Sequence, residues 1–179
     1  MTEPVARPLL FLDVDGPLIP FGMNPQPCDG QTRPLVDSPS AGPATNPLLV
    51  RLNPQHGPRL LSLGCDLVWA TTWMADANDE IAPRLGLPTL PIVAWPDTDE
   101  DDADDRLHWK TRELIDWAAG RPFVWVDDEI TDRDRLFVAA HHGPHALLHR
   151  VDPRLGLTDP DFDTVRRWLA ALPQPRTGT

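Results

Sequence analysis

The chain has 179 residues, a formal net charge of −11 and 41% hydrophobic residues. This length fits one domain with one hydrophobic core, which can fold without disulfides or metals as staples. The negative charge argues against a protein that coats nucleic acid, because binding to the phosphate backbone requires a basic face. Seven acidic residues lie within residues 97–105, so the rest of the chain is only mildly acidic and can bind a phosphorylated substrate locally.

The remaining composition favours a cytoplasmic protein. Two cysteines, Cys28 and Cys65, do not make the pattern of a disulfide framework. The N-terminus lacks a basic segment followed by a long apolar stretch, so no signal peptide is expected. No run of about 18 apolar residues occurs, so no membrane span or membrane partner is expected. The sequence does not indicate an oligomeric state.

Short apolar runs that end in polar residues predict five strands. They cover residues 8–13, 66–72, 90–95, 122–127 and 146–151. Helical patterns fall between and after them, at residues 53–64, 76–85, 111–119, 132–141 and 159–172. Continuous apolar strands that alternate with helices predict a three-layer, Rossmann-like α/β fold, in which a central parallel sheet of about five strands is flanked by helices.

Three segments interrupt this alternation within the single domain that we expect over residues 1–179. Residues 22–45 are rich in proline and aperiodic, and they are predicted to form a flexible flap near the pocket. Residues 97–105 are predicted to form an acidic, solvated loop, and residues 173–179 a flexible tail. The short apolar stretches 18–21 and 48–52 are expected to pair as a hairpin.

Polar residues capable of phosphate chemistry follow the predicted strands. In open α/β sheets, ligands bind beyond the carboxyl ends of the strands, so these residues converge if their strands are neighbours. Clustered carboxylates require a cation, and hard oxygen ligands favour Mg²⁺. The residues at these positions are Asp13, Asp15 and Gly16 after the first strand, Thr71 and Thr72 at the end of the second, Lys110 before a helix, and Asp127 and Asp128 at the end of the fourth.

Four segments carry a resemblance to a known family. LLFLDVDG, LVWATT, HWK and FVWVDD follow the order of the four signatures of the haloacid dehalogenase (HAD) superfamily. The chain resembles small, nearly capless HAD phosphatases over about residues 8–130. The resemblance implies a Mg²⁺-dependent phosphohydrolase that acts on a phosphate monoester through an aspartyl-phosphate intermediate. The phosphorylated substrate stays unidentified.

The resemblance also implies a role for each motif residue. Asp13 would be the nucleophile, and Asp15 would be the general acid and base. Lys110 and Thr71 would contact the phosphoryl oxygens, with Thr72 an almost equal candidate for the role of Thr71. The implied metal ligands are the carboxylates of Asp13 and Asp127, the backbone carbonyl of Asp15, and Asp128 directly or through water. Gly16 would give the chain a sharp exit beside the substrate.

Some residues admit a second interpretation. Asp128 can be read as the N-cap of the next helix, and Lys110 as an ordinary surface lysine. Trp73 and Trp109 adjoin motif residues, and each is expected either to pack in the core or to wall the pocket and stack on a base. A loose group of histidines does not match the spacing of a zinc site. Its members are His141, His142, His145 and His149.

Two alternative functions remain open at this level. One is a non-catalytic HAD-like module that binds a phosphorylated ligand, although the motif set is complete and favours an enzyme. The other is a phosphatase that processes nucleic-acid ends during repair. In the HAD superfamily, cap domains close over small substrates. The lack of room for a large cap therefore implies either an open site for large substrates, such as nucleic-acid ends or phosphoproteins, or closure by a partner subunit. The charge of the chain does not favour nucleic acid.

Overall fold

The computed structural model describes residues 6–22, 46–95 and 107–173. Its centre is a sheet of four strands, β1 Leu9–Leu12, β2 Asp66–Trp69, β3 Phe123–Asp127 and β4 Ala146–Arg150. The strands lie in the order β2-β1-β3-β4, and all neighbours are parallel. The residues that follow β1, β2 and β3 therefore meet at one end of the sheet.

Helices cover both faces of this sheet. They are α1 His56–Leu61, α2 Ala82–Leu85, α3 Thr111–Ala118, α4 Asp132–His141 and α5 Asp159–Ala171. Leu10 and Leu12 of β1 pack in a core with residues of α1, α2 and α5. Leu9 and Phe11, on the opposite face of the strand, pack in a second core with residues of α3 and α4. This confirms the predicted three-layer α/β fold with a parallel sheet.

The sheet has four strands in the described part of the chain, where about five were expected. In the predicted strand at residues 90–95, only an isolated bridge forms, between Ile92 and Trp69. The Trp69 N–H donates to the Pro91 carbonyl at 2.8 Å, and the Val93 N–H donates to the Trp69 carbonyl at 2.9 Å. Proline has no N–H to donate, so Pro91 cannot extend the ladder in the usual way.

The predicted hairpin between residues 18–21 and 48–52 is wrong. Residues Pro47–Arg51 form a 3₁₀ helix, and the side chain of Asn46 caps it by accepting from the Leu48 N–H at 3.0 Å. An Asn cap followed by proline favours a helical turn over a strand. Ile19 instead makes an isolated bridge with Asp15.

Most helix predictions agree with the structure within a few residues. The prediction for α4 matches its bounds. Residues Ala77–Ile81 form a π-helical turn that leads into α2, where one continuous α-helix was expected. No helix among the described residues is long and apolar enough to cross a membrane. The flap predicted at residues 22–45 beyond Gly22, the acidic loop at 97–105 and the tail after residue 173 lie outside the described residues.

Candidate active site

The ammonium group of Lys110 lies between two carboxylates at the carboxyl end of the sheet. Its Nζ is 2.8 Å from Oδ2 of Asp13 and 2.8 Å from Oδ2 of Asp127. Asp13 directly follows β1, and Asp127 is the last residue of the neighbouring β3. All three side chains are buried, so Lys110 is not the surface lysine of the alternative interpretation. Pairing of β1 with β3 thus brings Asp13 and Asp127 together, and the start of α3 places Lys110 between them.

Burial and charge act in opposite directions on this cluster. Burial raises the pKa of Asp13 to about 7, although the Lys110 ammonium and a hydrogen bond from the Val14 N–H oppose the change. Burial alone would lower the pKa of Lys110, but the charges of Asp13 and Asp127 outweigh it and raise that pKa. Lys110 therefore stays charged at neutral pH, and further positive charge near Asp13 would favour the ionised form of its carboxyl group.

Both carboxylate oxygens of Asp127 have hydrogen-bond donors. The Trp125 indole N–H donates to Oδ2 at 3.2 Å, and the Glu129 backbone N–H donates to Oδ1 at 2.9 Å. A fully buried carboxylate needs such partners, because its desolvation is otherwise uncompensated. Its orientation toward Lys110 is therefore fixed by β3 and by the turn after it.

The acids at this end of the sheet fit a divalent cation. Asp13, Asp127 and Asp128 each offer a carboxylate oxygen, and these oxygens lie within 4.8 Å of one another. Burial raises the pKa of Asp128, and the adjacent charge of Asp127 raises it further. Three carboxylates and one ammonium leave an excess of negative charge, and hard oxygen donors suit Mg²⁺.

A second group of ligand types, His108, Asp127 and Glu129, also lies close together. Nδ1 of His108 accepts from the Lys110 backbone N–H at 3.2 Å, so Nε2 carries the proton of a neutral ring. Nε2 lies 3.2 Å from Oε2 of Glu129, to which it can donate. A protonated nitrogen is not a metal ligand, so this group is better described as a hydrogen-bonded pair beside Asp127.

The carboxylate of Asp15 points to a different partner from that of Asp13. Its Oδ2 accepts a hydrogen bond of 2.9 Å from the indole N–H of Trp73, which follows β2. The backbone N–H of Trp73 donates in turn to Oγ1 of Thr71 at 3.3 Å. Trp73 therefore holds a predicted site residue directly, a role that neither of its two sequence interpretations included.

The two threonines after β2 differ in environment. Thr71 is buried, and its carbonyl accepts from the indole N–H of Trp95 at 3.1 Å. Thr72 is exposed. Because the Thr71 oxygen accepts from Trp73, its hydroxyl proton can point toward a ligand.

Gly16 makes the sharp exit expected after the first strand. Its φ of +83° is unfavourable for other residues, and a Cβ at this position would lie 2.5 Å from Cγ of Asp128. Asp128 is thus packed against the loop after β1. Its alternative interpretation as a helix cap is wrong, because Thr131 caps α4.

Asp134 supports the site and was not singled out by the sequence. Its buried Oδ2 accepts from the backbone N–H and the hydroxyl of Thr131, at 2.8 and 2.6 Å. Its Oδ1 accepts from the His108 backbone N–H at 2.8 Å and from the Thr111 hydroxyl at 2.7 Å. Thr131 and Asp134 have the spacing of a capping box, but that pattern does not reveal the second pair of bonds. These bonds tie the start of α4 to the turn that carries Lys110.

The remaining candidates lie around or away from this centre. The Trp109 indole is 48% exposed, and its ring centroid is 5.3 Å from Nζ of Lys110. His149 pairs with Asp161 at 2.8 Å, and His141 contacts the Phe137 carbonyl. In the described part of the chain, no histidine of the loose C-terminal group belongs to a metal-binding cluster.

The fold and the site together define the class as a HAD fold. The features are a parallel sheet, an Asp-x-Asp turn after an inner strand, a lysine before a helix and paired acids at the end of the adjacent strand. The chain belongs to the family described as "HAD domain in Swiss Army Knife RNA repair proteins", whose model matches residues 9–162. The predicted superfamily is thereby confirmed. Proteins with a HAD domain are generally hydrolases or phosphatases. Comparisons with curated proteins and with solved structures found no match.

Proposed function

We propose that this protein is a Mg²⁺-dependent phosphatase that removes a terminal phosphate monoester from RNA through an aspartyl-phosphate on Asp13. The observation that carries the proposal is the position of Lys110 Nζ, 2.8 Å from the carboxylates of both Asp13 and Asp127. A buried acid beside a buried ammonium, next to further acids, suits the transfer of a phosphoryl group. The family description, which names RNA repair proteins, supports RNA as the substrate class.

The proposed reaction has two displacements at phosphorus. First, a carboxylate oxygen of Asp13 attacks phosphorus, the bond from phosphorus to the ester oxygen breaks, and Asp15 gives that oxygen a proton. Water then attacks the phosphorus of the aspartyl-phosphate and passes a proton to Asp15. The bond from phosphorus to the Asp13 oxygen breaks, so inorganic phosphate leaves and the Asp13 carboxylate is restored. Lys110 and the hydroxyl of Thr71 bind the phosphoryl oxygens in both steps.

The metal ion would be held by the carboxylates of Asp13, Asp127 and Asp128 and by the backbone carbonyl of Asp15. When bound, it supplies positive charge beside the phosphoryl oxygens and beside the Asp13 carboxylate. The donor set supports this assignment, because it is made of hard oxygens and carries more negative charge than Lys110 neutralises.

RNA ends are compatible with an acidic protein. The net charge of −11 argues against coating long nucleic acids, whereas recognition of one end needs only local contacts. The half-exposed indole of Trp109, close to Lys110, offers an aromatic surface on which a base can stack.

The test compares Asp13→Asn with the wild-type protein and Mg²⁺. Substrates are RNA oligonucleotides with a 5′- or a 3′-phosphate and p-nitrophenyl phosphate, and released phosphate is measured. Asp13→Asn should abolish turnover, because an amide cannot form the aspartyl-phosphate. Asp132→Asn is the matched control, since this carboxylate is fully exposed on α4, and it should keep wild-type turnover.

Two further measurements separate the possible outcomes. Mass spectrometry after a rapid quench should find one added phosphoryl group on Asp13 of the wild-type protein, and EDTA should stop turnover. Wild-type turnover by Asp13→Asn, or full turnover in excess EDTA, would overturn the mechanism. A wild-type protein that is inert to every ester but binds beryllium fluoride with Mg²⁺ would instead be a non-catalytic binding module.

A further inference from the structure

A groove of about 460 Å³ lies beside the acidic cluster, at the carboxyl end of β4. The described residues that line it are Arg150, Val151, Asp152, Pro153 and Arg154. β4 neighbours β3, and Arg150 is the register partner of Asp127. The groove therefore opens at the same end of the sheet as the candidate active site.

Direct contacts join the groove to the acidic cluster. Nε of Arg150 donates to the Asp128 carbonyl at 2.8 Å, and the Val151 N–H donates to the Asp127 carbonyl at 3.0 Å. Arg150 is exposed, and its terminal amino groups have no hydrogen-bond acceptor among the described residues. A guanidinium with unoccupied donors can bind two phosphate oxygens at once.

Among the described residues that line the groove, the positive charge comes mainly from this one side chain. Arg154 is held by Asp152, with Nη2 at 2.8 Å from Oδ2 and Nε at 3.1 Å from Oδ1. That pair is close to neutral, so Arg150 supplies the excess positive charge. A single positive site next to an acidic cluster suits one phosphodiester group, and it does not provide the basic face that a long duplex requires.

The backbone of an exposed aromatic residue contacts the segment that lines the groove. The backbone N–H of Phe21 donates to the Pro153 carbonyl at 2.6 Å, and a Cβ on Gly22 would lie 2.2 Å from the Arg154 carbonyl oxygen. The chain around Phe21 is thus packed against the lining of the groove, while Phe21 itself is 51% exposed. Exposed aromatic side chains and arginines together bind the bases and backbone of single-stranded nucleic acid.

We propose that this groove binds the nucleotide next to the terminal phosphate of an RNA substrate, with Arg150 on its phosphodiester and Phe21 against its base. The inference takes its substrate class from the proposed function. It adds a physical reason for preferring a polynucleotide end to a small phosphate ester, since only the former reaches the groove.

The first experiment measures kcat/KM for a phosphorylated RNA oligonucleotide and for p-nitrophenyl phosphate. In Arg150→Gln, the ratio of the RNA value to the small-ester value should fall about tenfold, equivalent to about 1.4 kcal/mol. Arg166→Gln removes the same charge from α5, where Arg166 pairs with Asp163, and it should leave the ratio unchanged. If Arg150 only holds Asp128 in place, both substrates will slow equally, and the constant ratio would overturn the proposal.

The second experiment measures binding without turnover. Fluorescence anisotropy of a labelled, phosphorylated RNA is recorded with Asp13→Asn protein, Mg²⁺ and increasing salt. Adding Arg150→Gln should weaken binding about tenfold and reduce the slope against log salt by about one. Adding Asp152→Asn should strengthen binding, because it removes the negative charge that holds Arg154.

The two proposals fail in different ways. Weaker RNA binding by Arg150→Gln in a protein that hydrolyses no ester would support the groove and overturn the proposed catalysis. Hydrolysis of RNA ends with an unchanged substrate ratio and unchanged binding in Arg150→Gln would overturn the groove and leave the catalysis intact. Absence of RNA binding by the Asp13→Asn protein would also overturn the groove.

Discussion

The indole N–H of Trp73 donates a hydrogen bond of 2.9 Å to Oδ2 of Asp15. This contact joins a residue of the loop after β1 to a residue that follows β2. A carboxylate that must exchange a proton with substrate and water needs a fixed direction, and the sharp turn at Gly16 does not provide it alone. Trp73 is therefore a positioning residue for the proposed acid and base.

Trp73→Phe keeps an aromatic ring but removes the N–H donor. We expect kcat for RNA ends to fall by up to about tenfold, since a hydrogen bond typically contributes about 0.5–1.5 kcal/mol. The loss should be smaller with p-nitrophenyl phosphate, whose leaving group needs little protonation. Trp168→Phe on α5 is the control. Equal losses with both esters would argue against a role through Asp15.

Lys110→Met tests the charge balance of the buried cluster. Removing the ammonium leaves the Asp13 and Asp127 carboxylates without their buried partner, which typically costs about 3–5 kcal/mol. Mg²⁺ should restore part of the free energy of unfolding, because it binds the folded cluster. Urea unfolding in EDTA and in Mg²⁺ measures both effects. A variant as stable as wild type in EDTA would contradict this account.

Asp134 and Asp161 form a natural pair for comparison. Each accepts from the N–H and hydroxyl of the threonine that caps its helix, Thr131 or Thr158. Substitution by Asn replaces one of the two accepting oxygens by an NH₂ group, which can only donate. Each variant should therefore lose about 1–3 kcal/mol of stability. Only Asp134→Asn should also lower kcat, because only Asp134 supports the turn that carries Lys110. Equal activities in the two variants would show that Asp134 has no positioning role.

The lowered pKa values of Asp134 and Asp161 predict that the effect of these two substitutions on stability depends on pH. Burial would raise the pKa of Asp134 and Asp161, but hydrogen bonds from their threonines outweigh it and lower both pKa values. A lowered folded-state pKa stabilises the fold above the unfolded value of about 3.9, and the stabilisation is lost as pH falls through the folded value. The stability difference between wild type and each Asn variant should therefore shrink below about pH 4, as measured by urea unfolding.

Gly16→Ala tests the packing of the loop after β1 against Asp128. Gly16 and Gly64 both have positive φ, +83° and +72°, so alanine should cost about 1–2 kcal/mol at either site. A Cβ at Gly64 meets nothing within 4 Å, whereas one at Gly16 overlaps Asp128. Only Gly16→Ala should raise the Mg²⁺ concentration for half-maximal activity. An unchanged Mg²⁺ dependence would show that Asp128 does not take part in metal binding.

Local patterns in the sequence were sufficient for the class of fold. Apolar runs that end in acids, alternating with capped helices, predicted the parallel sheet and both its covering layers, because these patterns depend on neighbours in the chain. The match at α4 follows from its Thr131 cap. The errors at residues 48–52 and 90–95 arose where a proline, Pro47 before the first run and Pro91 within the second, changed the local backbone. The motif order also predicted the HAD superfamily.

The tertiary structure was needed to show which side chains touch and through which atoms. The strand order β2-β1-β3-β4 places Asp13 beside Asp127 and Trp73 within hydrogen-bond distance of Asp15. Contacts between residues far apart in the chain do not appear as a periodic pattern in the sequence. Asp134 and Arg150 were missed for the same reason. Net charge is a sum over all residues, so it argued against nucleic acid without showing that an exposed arginine lies beside the acidic cluster. In the folded protein, a phosphate interacts mainly with the charges close to it, and the net charge of the chain does not reveal their arrangement.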